Sequence, residues 1–79
     1  MDVLEIREKV TSVFREVFAD PNIVLSDEMT ANDVDKWDSL TNMAMISAIE
    51  QEFNIKFKLK DLNKLKNVGN LIATINSKL

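Results

Sequence analysis

The chain contains no cysteine, no histidine and no tyrosine. Without cysteine there is no disulfide framework, no thiolate metal ligand and no thiol nucleophile. Without histidine, acid–base catalysis near neutral pH falls to a shifted carboxylate or lysine. No apolar run approaches the roughly 20 residues needed to cross a bilayer, so no membrane insertion is expected. The opening MDVLEIREK begins with an acid and is amphipathic, unlike a secretory leader, and a cytoplasmic protein is expected. Seventy-nine residues leave room for one domain, spanning 1–79.

The net charge of −3 conceals a division. Residues 1–54 carry four basic side chains against twelve acids, and residues 55–79 carry six lysines against one acid, Asp61. The acidic part argues against nucleic acid, which binds a basic face. Lysines 56, 58, 60, 64 and 66 form a local basic edge, read here as solvated charge that aids solubility. Charged and hydrophobic fractions of 29% and 46% are those of a globular chain rather than a disordered one.

Periodicity then predicts an all-α fold: a small four-helix bundle of three longer helices and one short one, with a long loop between the first two. Val3, Ile6, Val10, Val13, Phe14 and Val17 recur at helical spacing, predicting a helix from Asp2 to about Phe18. Asp20-Pro21 ends it, because proline lacks the amide donor and restricts the residue before it. Residues 19–38 read as an irregular connection anchored by Ile23, Val24, Leu25, Met29 and Val34. A loop this long in a compact domain hints at function. A second helix is predicted from Ser39 to Phe53, with Asp38 as N-cap and Asn54 as its end. A short third helix is expected over Lys60–Leu65, and Asn67 is placed to cap a last helix reaching Lys78. That helix faces Val68, Leu71, Ile72 and Ile75 inward. The alternating IKFKL at 55–59 resembles a strand but lacks a partner, so it is read as an extended linker whose Phe57 plugs the core.

Helix two has two apolar stripes. With Ser39 at zero and 100° per residue, Asn42, Met45, Ile46, Ile49 and Phe53 fall between about 240° and 340°, the expected core side. Leu40, Met43, Ala44, Ser47 and Gln51 fall between about 40° and 140°, nearly opposite. They form a candidate exposed apolar patch beside Ser39, and methionine suits adaptable docking.

Taken alone, Ser39 reads as part of a helix start. A serine nucleophile needs a base and oxyanion donors, and no G-x-S-x-G turn surrounds it. Asp33, Asp35 and Asp38 have D-x-D-x-x-D spacing but lack the glycine and bidentate glutamate of an EF-hand loop, so no metal is expected. A small carboxylate enzyme built on Asp35 and Asp38 is disfavoured by the missing histidine and by a chain too small for a pocket of about 300 Å³. A membrane-surface role is disfavoured because helix one carries both charge signs on its polar face.

Asp38-Ser39-Leu40, followed fourteen residues on by Glu52-Phe53, with AIEQEFNIKF at 48–57 and LKNVGNLIATI at 65–75, resembles the acyl carrier protein family over essentially the whole chain. The resemblance implies a non-enzymatic carrier. It implies 4'-phosphopantetheine esterified to the Ser39 hydroxyl, donated from coenzyme A by a phosphopantetheinyl transferase, with Asp38 in the attachment motif. The arm would carry acyl groups as thioesters for acyl-activating, condensing or acyltransferase enzymes of fatty-acid, polyketide or specialised lipid or saccharide biosynthesis. The resemblance makes Leu40, Met43, Ala44, Ser47, Glu50 and Gln51 the surface that partners read. It makes Met45, Ile46, Ile49, Phe53 and Phe57 a core that shelters an acyl chain. A monomer is expected. The alternative is an unmodified helical interaction module gripping a partner through the Leu40/Met43 face.

The chain departs from the fatty-acid carriers of that family. Thr41, Asn42, Ala44 and Ser47 are neutral where such carriers are acidic, and the segment after helix two is lysine-rich. Lys36-Trp37 stands where peptidyl carriers have Gly-Gly. These departures imply a discrete, specialised carrier.

Overall fold

The structure, a computed structural model, describes residues 1–79. Four α-helices and one 3-10 turn follow in order: α1 (Val3–Val17), the 3-10 turn (Ala31–Asp33), α2 (Ser39–Phe53), α3 (Leu59–Leu62) and α4 (Val68–Lys78). No strand is present, and residues 55–58 form the expected linker. The helices α2 and α4 both pack on α1. Their shared core is built from Ile6, Val10, Val13 and Phe14 of α1, Met45, Ile49 and Phe53 of α2, and Val68, Leu71, Ile72 and Ile75 of α4. Phe57 is half-buried against this core rather than plugged into it.

The three longer helices each start on a side-chain cap that replaces missing backbone partners. The Asp2 carboxylate accepts the Glu5 N–H at 2.8 Å, and Asn67 Oδ1 accepts the Asn70 N–H at 2.8 Å. The amides of Val68 and Gly69 donate instead to the loop carbonyls of Met29 and Asp27, at 3.0 and 2.9 Å. The long loop is thereby clipped to the start of α4. Gly69 permits the approach, since a Cβ there would lie 3.2 Å from both the carbonyl oxygen and the Cβ of Asp27.

Several expectations are corrected. Helix α1 ends as expected near Phe18, which caps it, but in a Schellman arrangement rather than at Pro21. Ala19 turns left-handed (φ 52°), and the Asp20 and Ala19 amides bond back to Arg15 and Glu16 carbonyls at 3.0 and 3.3 Å. Val3 is exposed because the first turn of α1 extends past the core. Val24 is 74% exposed and anchors nothing. It lies between buried Ile23 and Leu25 in an extended segment, where alternate side chains face opposite ways. Helix α3 is shorter than expected. Beyond Leu62 the amides of Lys64 and Leu65 bond three residues back, and these turns bring Leu65 onto the core and Asn67 to its capping position.

Candidate functional site

Helix α2 begins at Ser39, and the chain before it is held by reciprocal bonds. The Asp38 carboxylate accepts the Leu40 and Thr41 amides at 3.0 and 2.9 Å. The Thr41 hydroxyl accepts the Asp38 amide at 2.8 Å and donates to the Lys36 carbonyl at 2.6 Å. Thr41 was not among the residues singled out from sequence; its place three after Asp38, as in a capping box, was the available signal. The Thr41 amide, then its hydroxyl, hold the Asp38 carboxyl below its ordinary value, so it is an anion at neutral pH. Asp38 therefore uses two of the amides that a bare helix N-terminus would offer to an incoming phosphate.

Trp37 supplies the second restraint. Its ring meets Phe14 edge-on at 5.2 Å and Phe18 at 5.9 Å, fastening the start of α2 to α1. Its indole N–H donates to Asn42 Oδ1 at 2.9 Å. Asn42 is thus exposed and not a core residue. It sits in the first turn of α2, at the end of the bundle, and its amide serves the indole at the surface.

Ser39 lies between these restraints. It is exposed, and its side chain takes part in none of the bonds that fix the entrance. Ser39 lines a cleft of about 390 Å³ shared with Trp37, Asp38, Asn42, Leu65 and Lys66. A neighbouring groove of about 330 Å³ runs between α2 and α3 past Met43, Ile46, Ser47, Glu50, Leu62 and Leu65. So a chain of this size does form concavities above 300 Å³, contrary to expectation, as surface clefts between helix ends. Leu65 and Lys66 are brought to Ser39 from 26 and 27 residues away, and only the fold makes them neighbours.

The two stripes of α2 separate as the wheel indicated, with adjustments. Met45, Ile49 and Phe53 are buried and Ile46 half-buried. Leu40 and Met43 are 78% and 71% exposed, and Ala44, Ser47 and Gln51 are exposed with them. Glu50 is half-buried, its carboxylate accepting the Phe57 amide at 2.8 Å. Of the acids considered for a metal, Asp33 accepts the Thr30 amide and Asp38 caps α2, while Asp35 is exposed.

An exposed serine stands at the head of the second of four helices, the arrangement that the resemblance implied. The comparisons agree. The phosphopantetheine attachment site family model matches residues 8–75. An acyl carrier protein from Thermosynechococcus vestitus is 32% identical over 80 residues, covering 100% of this chain and 98% of the relative. The solution NMR structure of holo acyl carrier protein from Geobacter metallireducens superposes with a TM-score of 0.88 at 46% identity, over 92% of this chain and 84% of that one. The chain belongs to the acyl carrier protein family. It is a carrier and not an enzyme, its prosthetic group is 4'-phosphopantetheine, and the unmodified interaction module is set aside. No helix is long and apolar enough to cross a membrane.

Proposed function

We propose that Ser39 is the residue that bears the 4'-phosphopantetheine, and that the carrier presents acyl intermediates from it to biosynthetic enzymes. The observation that carries this reading is the exposed Ser39 side chain, free of the hydrogen-bond network that immobilises the residues around it. The group fits: Ser39 lines a cleft with room for an arm, and Lys66 is the cation on that cleft beside the Asp38 anion. When bound, the group supplies the thiol for thioester formation that a cysteine-free chain lacks. The roles of the chain's own residues follow. Asp38 and Trp37 hold the attachment point still. Leu40, Met43, Ala44, Ser47 and Gln51, with Glu50 at the edge, offer partners a surface. Met45, Ile46, Ile49, Phe53 and Phe57 form the adjoining wall against which an acyl chain is sheltered. The transferase that loads Ser39 and the enzymes that charge and discharge the arm are the partners. The carrier acts as a cytoplasmic monomer and as a single domain over 1–79.

Incubation with a phosphopantetheinyl transferase and coenzyme A, followed by intact mass, tests the attachment site. The wild-type chain gains one phosphopantetheine, while Ser39→Ala gains none and stays folded. Substantial loading of Ser39→Ala overturns the assignment.

The neutral first half of α2 and the lysine-rich linker support a specialised pathway rather than bulk fatty-acid synthesis. Equal turnover by a fatty-acid ketosynthase of this carrier and a housekeeping one would remove that reading.

A further inference from the structure

The groove between α2 and α3 has unequal banks. Met43 of α2 and Leu62 of α3 line it and are exposed, and Leu40 and Leu59, three residues earlier on the same helices, are exposed with them. Each pair therefore shares one face of its helix. The α3 bank is flanked by Lys56, Lys58, Lys60, Lys64 and Lys66, all exposed. The ion pairs of the chain are Arg7–Asp27 and Lys78–Asp61, so none of these five lysines has one.

The neighbouring acids make no ion pair with them. Asp61 is 9% exposed, bonded to Lys78 at 2.8 Å and to the Lys58 amide at 2.8 Å. Glu50 is committed to the Phe57 amide. Glu52 lies on the other side of α2, beside Val13, Glu16 and Val17 of α1. Along the groove itself Glu50 is the carboxylate on the lining, half-buried and with one oxygen on the Phe57 amide, against the five exposed lysines. Charges kept only for solubility are best mixed in sign. Five unpaired cations beside an exposed apolar groove are a charge pattern that a complementary surface reads.

We propose that the α2–α3 face docks a partner enzyme whose contact surface is an apolar ridge rimmed with carboxylates, the lysines of 56–66 reading the rim and the groove between Met43 and Leu62 taking the ridge. The proposal deepens the partner-surface reading above and rests on it for the occupant. It assigns the contact to α3 and its flanks as much as to α2, and it sets the charge of the partner as negative.

Two labelled amphipathic helical peptides of about four turns test it, with the same leucine face flanked by glutamates in one and lysines in the other. Binding to the full, unloaded chain is read by fluorescence anisotropy and by amide shifts in NMR spectra. With three or four exposed ion pairs formed, the glutamate peptide binds about tenfold more tightly than the lysine peptide. That preference holds at about 0.01 M salt and collapses at about 1 M, where the screening length is about 3 Å. Shifts fall on α2, α3 and residues 56–66. The triple variant Lys58→Glu, Lys64→Glu, Lys66→Glu loses the preference while keeping its circular dichroism and melting temperature. Equal binding of both peptides, tighter binding of the lysine peptide, or an unchanged preference in a folded triple variant overturns the proposal. Salt-sensitive dimerisation of the chain through the same residues also overturns it, by giving the face to a second copy. Should the triple variant unfold, Lys58→Gln, Lys64→Gln decides by the same comparison. Because the chain is unloaded throughout, failure here is separate from failure of Ser39 to accept the arm.

Discussion

Trp37 and Asn42 are joined across Ser39, the indole N–H donating to the Asn42 side-chain oxygen at 2.9 Å. The same indole packs on Phe14 and Phe18 of α1. One side chain thus couples the first turn of α2 to the neighbouring helix, and Ser39 lies on the span between the two partners. The serine is presented by its neighbours and held by none of them directly.

Trp37→Phe keeps much of the ring packing and gives up the hydrogen bond, worth about 1 kcal/mol. Trp37→Ala loses the aromatic contacts as well and costs about 2–4 kcal/mol. Chemical denaturation measures both. Loss of backbone restraint at 37–42 in Trp37→Phe, seen as faster amide exchange there and not in α4, identifies the bond as local positioning.

Ala19 adopts the left-handed conformation that glycine occupies without strain. Ala19→Gly raises stability by about 1 kcal/mol, the relief of a left-handed alanine net of glycine's extra chain entropy. An unchanged or lower denaturation midpoint would show that the Ala19 methyl makes a compensating contact.

The Lys78 ammonium, then the Lys58 amide, hold the Asp61 carboxyl below its ordinary value of 3.8. The folded form therefore takes up that proton less readily than the unfolded chain does. The linked stability is complete above the unfolded value and is lost as pH falls from about 4 through the lower folded value. Asp38, lowered by Thr41, adds with the same sign. Asp61→Asn lowers the melting temperature at neutral pH and flattens its decline between neutrality and about pH 3. A parallel decline in variant and wild type would remove Asp61 from acid unfolding.

Met43→Glu and Ile49→Ala form a matched pair on opposite sides of α2. Met43 is 71% exposed, so its replacement changes stability by less than about 0.5 kcal/mol while weakening acyl transfer to partner enzymes. Ile49 is fully buried, and its truncation costs about 2–5 kcal/mol. A large stability loss in Met43→Glu would place that side chain against the core.

Much of the fold was legible because it is written in short-range terms. Spacing of three and four residues marked α1, α2 and α4. Asp38, Asn54 and Asn67 marked where two of them start or stop, since caps act within one turn. The reading failed where a local rule met a distant neighbour. Val3 and Asn42 have core spacing but sit where a helix outruns the bundle. Val24 was grouped with its apolar neighbours although extended backbone turns alternate residues outward.

The sequence by itself determined the helices, their caps, the placing of a serine at the head of α2 and the family to which that arrangement belongs, because each depends on residues within about one helical turn of one another. Tertiary structure alone decided that Leu65 and Lys66 share a cleft with Ser39. It alone decided that Trp37 braces α2 against α1, and that Asp61 pairs with Lys78 and Glu50 with the Phe57 amide, leaving the lysines of 56–66 without ion pairs. Exposure and charge balance at a surface depend on which distant residues cover or neutralise a group, and only the folded chain brings those residues together.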